Sequence, residues 1–596
     1  MSSRALTLAV ALGAIGGSLL PGCGPAGPAT YVWVDVEAQP AVRGVTKLEV
    51  TVRQGGESIT KTFGDGVAPF TLPTDFTVTP NSHLGTLTVD GVAFGADDVR
   101  AATGSVSVAI TAGDQPHATL TLVPVDFQVN TTIAGSQIVT DYGGQSGRQA
   151  AAAADGSLVA VFENISTLGR FDGMGRLFDG DGAARPNAVS HTKDDFVLNQ
   201  LGTESVYFVA VAAAPAGGFL ATWADFSLSP GVINVRAFDP TGSPSTEVTV
   251  SVLGTLELGA VHAAAFGDGS YVVVWSQARS STDLTHEIQA RLLDPTGQPR
   301  RNSTTGNNLD FAVGAFTTHD LERPAVTVGP DQSFVVAWID LDPTSGGAVH
   351  AQRFSTEGQA RGSQLVVAPI RMAFPEGPNL AATPDGYLVV YTDEGTSPTD
   401  TDVLVRFLGQ DGLPTQPGYR VNTSTDGAQY EPAIAVAADG RTLVVWTDAQ
   451  SRPDDTDSGS VRGRALHPFG LPIGDDFVIN HTTPKAQHFP SVAAAAHGAF
   501  LVTWQDESAV GPDVDQSGIR GRMIYPDYVR TGGGVGAACG GGATCDTELQ
   551  CVARGTGSFC HIGCSEAAVG QPCPTYGGLC TSAAAAGTTT PVCLFR

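Results

Sequence analysis

The chain has 596 residues, too many for one compact domain, and it is 42% hydrophobic and only 15% charged, which excludes wholesale disorder. Its 73 glycines and 37 prolines favour many short elements joined by turns, hence an all-β class. With 59 acidic against 32 basic residues and a formal net charge of −27, the surface repels phosphate backbones, which excludes nucleic acid as a partner.

Met1 to Arg4 supply a short positive start, and Ala5 to Leu20 an apolar stretch too short to span a bilayer, so residues 1–22 are expected to be a signal peptide. The following Leu20-Pro21-Gly22-Cys23 resembles the lipobox of bacterial lipoproteins, with Pro21 departing from the usual small residue. That resemblance implies a lipid on Cys23, a short lipidated linker over 23–29, and, with Gly24 next, an outer-membrane or cell-surface location. Nine cysteines occur in all; eight cluster near the C-terminus and can pair among themselves, which leaves Cys23 over. No later stretch reaches the roughly 20 apolar residues of a spanning helix.

Residues 30–125 run as short alternating segments, such as Tyr31-Val32-Trp33-Val34-Asp35-Val36 and Leu48-Glu49-Val50-Thr51-Val52. A period of two puts alternate side chains on one buried face, and turn signals between the runs predict a small immunoglobulin-like β-sandwich.

Residues 126–530 carry an internal repeat. An aromatic closes an apolar run at Phe162, Trp223, Trp275, Trp338, Tyr391, Trp446 and Trp504, at spacings of 52 to 63 residues. Each copy offers a small-residue strand, a tight turn, the apolar strand, a polar loop and a strand holding an arginine: Arg176, Arg236, Arg291, Arg353, Arg406, Arg464 and Arg522. A fourth strand follows in the better copies, as in Phe196-Val197-Leu198-Asn199 and Phe477-Val478-Ile479-Asn480. Four strands per repeat predict a blade, and seven blades a seven-bladed β-propeller. The seventh copy lacks a fourth strand, and Phe127-Gln128-Val129-Asn130 precedes the first copy without a blade of its own, so the two are expected to pair and close the ring. The pattern resembles the propeller repeats of bacterial surface lipoproteins and, more distantly, integrin-type repeats, without the regular Asp-rich calcium loop of the latter.

A Gly-rich linker opens residues 531–596, where Cys539, Cys545, Cys551, Cys560, Cys564, Cys573, Cys580 and Cys593 predict a small disulfide-rich domain. No Cys-x-x-Cys pair is present to favour zinc.

No His-Glu-x-x-His, Gly-x-Ser-x-Gly or phosphate-loop motif occurs, and His286-Glu287 is followed by no second histidine. Turns at Asp179 and Asp181 read as blade turns like Asp239-Pro240-Thr241-Gly242. The recurring arginine is expected to pair with the aspartate two residues beyond the aromatic (Asp225, Asp340, Asp393, Asp448, Asp506) across the second and third strands. Loops after the second strands are acidic, and Asp454, Asp455, Asp457, Asp513 and Asp515 are the candidate ligands for calcium; nothing else calls for a cofactor. The expected function is a non-enzymatic, lipid-anchored surface binding or scaffold protein that presents a propeller face to a protein or glycan, with the membrane as its other contact. The alternative is a propeller-type lyase or glycosidase acting on extracellular polysaccharide. Alanine runs such as Ala150 to Ala154 and Ala493 to Ala496, set on the inner strands, offer neither acid nor base and speak against it.

Overall fold

The computed structural model describes residues 31–524 apart from several loops, and beyond them the backbone of Thr7–Ala9, Gln550–Arg554, Gly557–His561, Leu579–Thr581 and Val592–Leu594. The expected leader cleavage and Cys23 lie outside the described residues, as do the side chains of the eight C-terminal cysteines. Backbone register sets Cys551 opposite Cys560 and Cys580 opposite Cys593. Among the described residues no helix is long and apolar enough to cross a membrane. Two compact units emerge, residues 1–127 with 522–525, and residues 128–521 with 526–596.

In the first unit the strands run in the order Thr7–Ala9, Thr74–Thr79, Val32–Ala38, His117–Pro124, Arg100–Ile110, Gly85–Phe94, Lys47–Gln54, Glu57–Phe63. All neighbours are antiparallel except Val32–Ala38, which runs parallel to His117–Pro124. The alternation predicted from sequence is kept: Val32, Val34 and Val36 are buried while Trp33 and Asp35 between them are half-exposed. Leu48, Val50, Val52, Phe76, Val78, Leu87, Val89, Leu120 and Leu122 join those valines in one core. Gly104 is a packing necessity there, because a Cβ at that position would stand 2.3 Å from the Thr121 carbonyl oxygen.

The second unit consists of antiparallel sheets in chain order. The first has five strands (Ser136–Ile138, Ala150–Ala152, Leu158–Ile165, Phe171–Phe178, Phe196–Val197). Four-stranded sheets follow: the second from Val206–Ala213 to Val248–Thr249, the third from Leu258–Ala265 to Phe311–Ala312, and the fourth from Asp320–Val328 to Ala360–Ile370. The fifth runs from Asn379–Thr383 to Tyr419–Arg420 and the sixth from Gln429–Val436 to Pro472–Val478. In the seventh, Gln487–Ala494, Phe500–Asp506 and Gly518–Ile524 are completed by Phe127–Gln128. The splice continues past the strand: the Val129 amide donates to the Ile519 carbonyl at 2.8 Å, and the Gln137 amide to the Ser517 carbonyl at 3.1 Å. First strands touch their neighbours in succession, and that of the seventh sheet touches that of the first.

The repeated aromatics explain the sheet-to-sheet packing. Trp223, Trp275, Trp338, Trp446, Trp504 and Phe162 are fully buried. Trp223 sits in a core shared by the first and second sheets, Trp275 in one shared by the second and third, and Trp338 in one shared by the third and fourth. Each such indole removes on the order of 200 Å² from water, several kcal/mol at about 25 cal/mol per Å².

The repeated arginine has a different partner from the one expected. Arg176 donates to the Gln128 and Val129 carbonyls at 3.0 and 2.8 Å, Arg236 to the Leu198 carbonyl at 3.0 Å, and Arg464 to the Val421 carbonyl at 2.7 Å. Arg406 donates likewise to the Val367 carbonyl. Each acceptor belongs to the fourth strand of the preceding sheet, or lies just past it, so these guanidiniums join neighbouring sheets. Register explains why the aspartate is out of reach: Arg464 stands opposite Val444, whereas Asp448 stands opposite Ser460.

Candidate functional site

In an antiparallel sheet the start of the first strand and the end of the second lie at the same end, together with the start of the third. The recurring aspartates crowd there, and most are neutralised locally. Asp393 accepts from the Arg371 guanidinium at 3.3 Å, Asp448 from Arg452 Nε at 2.9 Å, and Asp506 from Arg520 Nε. Asp225 accepts instead from the Ser205 and Ser227 amides at 3.0 and 2.9 Å.

The fourth sheet breaks this pattern with imidazoles. His319 Nδ1 donates to Asp340 Oδ1 at 2.9 Å, and its Nε2 lies 3.7 Å from Asp342; His350 Nε2 lies 3.8 Å from Asp340 Oδ2. Burial lowers the His350 pKa, with Asp340 opposing the shift and His319 reinforcing it. Beside it, at the junction of the third and fourth sheets, the His286 amide and ring Nδ1 both reach Asp320 Oδ1, at 2.6 and 3.0 Å, and Nδ1 lies 3.7 Å from Glu322 Oε1. Among the described residues, His286, Asp320 and Glu322 are the one set of three metal-ligand side chains whose donor atoms all fall within 4.8 Å of one another.

Local backbone explains the convergence. His286 opens the third strand of the third sheet, and Asp320 and Glu322 open the first strand of the fourth, two apart and so on one face. A bulge between Glu322 and Ala325 follows, with Arg323 at φ 57°, and Arg323 Nε then lies 3.6 Å from Glu322 Oε2. Burial works to raise the Asp320 carboxyl, but the hydrogen bonds from His286 outweigh it and leave its pKa low. For Glu322 burial prevails and holds the pKa above its ordinary value, against the pull of Arg323.

The expectation of an interior without acid or base fails on the first strands of the third and sixth sheets, which carry His262 and Glu431. His262 on the first strand of the third sheet is fully buried, and its pKa is driven well below the ordinary value by burial and by Arg148. Arg148 Nη2 donates to the Leu380 carbonyl of the fifth sheet at 3.2 Å while its own carbonyl accepts from Val211 of the second at 2.8 Å. Desolvation pushes its pKa down to about 10. Glu431 on the first strand of the sixth sheet is buried too, accepting the Thr447 hydroxyl at 2.6 Å and the Phe489 amide at 2.7 Å.

Of the five rim residues singled out for calcium, Asp454, Asp513 and Asp515 lie outside the described residues. Asp455 accepts from Asn480 Nδ2 at 2.9 Å and from the Asp457 amide at 3.2 Å, and Asp457 accepts from the Lys485 amide at 2.7 Å, so both serve loop geometry. Asp179 caps its turn by accepting from the Ala183 amide at 2.9 Å, as Asp239 does from Ser243. Sequence reasoning passed over Asp320 and Glu322 altogether. In the fourth copy two histidines, His319 and His350, stand against the recurring aspartate, Asp340.

No protein-family model matches the sequence, and no curated protein matches it. Among solved structures the repeated sheets resemble propeller-type glycosidases and sialidases. The NanB sialidase of Streptococcus pneumoniae aligns at 9% identity over 82% of this chain and 89% of its own, with a TM-score of 0.39. An α-L-arabinanase of Penicillium chrysogenum aligns at 13% identity over 54% of this chain and 94% of its own, TM-score 0.37. A protein of unknown function from Dyadobacter fermentans aligns at 11% identity over 55% and 96%, TM-score 0.37. Against the expectation of a non-enzyme, several of these neighbours are named as glycoside hydrolases or sialidases. The interior residues above remove its physical basis as well, because ionisable side chains do stand on the first strands.

Proposed function

We propose that the chain is an exported protein, tethered by lipid on Cys23, whose second unit is a seven-bladed propeller that cleaves polysaccharide as a lyase or glycosidase. An immunoglobulin-like spacer over residues 30–125 and a disulfide-knit tail over 531–596 complete this reading. The observation that carries it is the convergence of His286, Asp320 and Glu322 at one junction of the sheet end, where Asp393 and Asp448 are each met by an arginine. Both glycosidic hydrolysis and β-elimination require positioned groups that exchange protons or stabilise charge beside the scissile bond, and an imidazole flanked by two carboxylates supplies them. Acidic rim loops suit a neutral glycan, or a charged one met through a bridging cation.

The test is turnover by the full chain on a panel of neutral and uronate-containing polysaccharides, read by reducing-end release and by absorbance of an unsaturated product. Cleavage is expected, with Asp320→Asn lowering kcat by about 10²–10⁴-fold. Silence across the panel, or a variant as active as the parent, would refute the assignment.

A further inference from the structure

The three donor atoms at the junction of the third and fourth sheets pose an electrostatic problem of their own. Asp320 Oδ1 and Glu322 Oε1 lie 3.0 and 3.7 Å from His286 Nδ1, and one donor atom from each of the three residues falls within 4.8 Å of the others. Two carboxylates at that range repel, and one ring proton faces both. We propose that this junction is a divalent transition-metal site of the zinc class, with His286, Asp320 and Glu322 as its three protein ligands.

Geometry favours that occupant. Donors about 2.1 Å from a tetrahedral ion stand about 3.4 Å apart, and the two separations from Nδ1 fall on either side of this value. One imidazole with two carboxylates is a donor set for zinc or manganese; calcium favours six to eight oxygens and gains little from a ring nitrogen. Three protein ligands leave a fourth position for water or substrate, the hallmark of a working rather than a purely structural site. The surroundings hold each ligand in place: the His286 amide fixes Asp320 Oδ1 at 2.6 Å, and Arg323 Nε stands 3.6 Å from the second oxygen of Glu322.

The inference shares its residues with the proposed enzyme but does not require turnover, so the two fail separately. The full chain, stripped with chelator under non-reducing conditions, is titrated with zinc alone and with calcium alone, and bound metal is counted by elemental analysis. One zinc per chain is expected at this site, unaffected by equimolar calcium. His286→Gln, Asp320→Asn and Glu322→Gln should each weaken it by on the order of 100-fold, and Arg323→Gln by about 10–100-fold, the usual effect of losing a supporting contact. His319→Gln, one step outside the ligand set, should retain the zinc and reports that the neighbouring fold is intact. A stripped parent protein that takes up no zinc overturns the site, as does a His286→Gln protein that binds as well as the parent. Zinc bound without cleavage of any glycan removes the enzyme and leaves the site; cleavage by a chain that takes up no zinc does the reverse.

Discussion

The sixth and seventh sheets are held shut by the same hydrogen bonds, yet one draws its fourth strand from the adjoining chain and the other from nearly four hundred residues away. In the sixth, Asn480 Oδ1 accepts from the Val461 amide at 2.8 Å while its Nδ2 donates to Gln487 Oε1 at 2.9 Å and the Thr482 carbonyl at 2.9 Å. In the seventh, Asn130 Oδ1 accepts from Ile519 at 2.7 Å, and its Nδ2 reaches Gln137 Oε1 at 3.0 Å and the Thr132 carbonyl at 2.8 Å. Sequence separations of 19 and 389 residues divide otherwise matching networks. The closing strand is therefore a copy of an ordinary fourth strand, moved to the other end of the repeat. By chain-entropy scaling the longer closure costs roughly 2–3 kcal/mol more if made first. It is expected to form last, after the intervening sheets have brought its ends together.

Deleting residues 126–130 tests the comparison most severely, since it strips the seventh sheet of its last strand and leaves the buried Ile519 amide without its acceptor. A loss of several kcal/mol, or of cooperative unfolding altogether, is expected by calorimetry. Appending the same five residues after Tyr525 should restore most of it, and failure of that permuted chain to fold would show that the strand does more than complete a sheet. Next in size, Asn130→Ala and Asn480→Ala should each cost about 1–3 kcal/mol in denaturant unfolding. The first should act mainly by speeding unfolding, because its contacts form late. Equal effects of both substitutions on the folding rate would contradict that order of events.

Arg464→Met should cost about 1.5–3 kcal/mol, the range for a hydrogen bond from a charged donor, and Arg236→Met a similar amount. A loss confined to the rim, detectable only in salt dependence, would refute the joint between sheets. The smallest effect concerns acid. His262 has a folded-state pKa well below its unfolded value near 6.5, so the unfolded chain binds the proton first as pH falls. Its contribution is complete above that unfolded value and is lost on the acid side of it, at up to about 1.4 kcal/mol per pH unit, until the folded value is reached. Unfolding followed from pH 7.5 to 5 should show that slope, and His262→Asn should flatten it.

Much of the architecture was legible because burial imposes period and repetition. The indoles at Trp223, Trp275 and Trp446 mark the second strands, and the orphan segment before the first repeat announced the splice at Val129 and Ile519. The arginine was equally visible, but its partner was not. A guanidinium reaching a backbone carbonyl in the neighbouring sheet leaves no trace in side-chain pattern, whereas a nearby aspartate invites a false pairing. The site was hidden for another reason. His286 and Asp320 stand 34 residues apart on different sheets, and only the bulge at Arg323 and the order of the sheets bring them to 3.0 Å.

The joints between sheets have a consequence for how such a chain can change. Because Arg176, Arg236, Arg406 and Arg464 grip main-chain oxygens, the residues gripped need have nothing in common, and Val129, Leu198, Val367 and Val421 supply the same atom whatever their side chains. Fourth strands are thus at liberty to drift in sequence while the assembly stays in register. Novelty can accumulate in one copy, as the histidines of the fourth have, without loosening its neighbours.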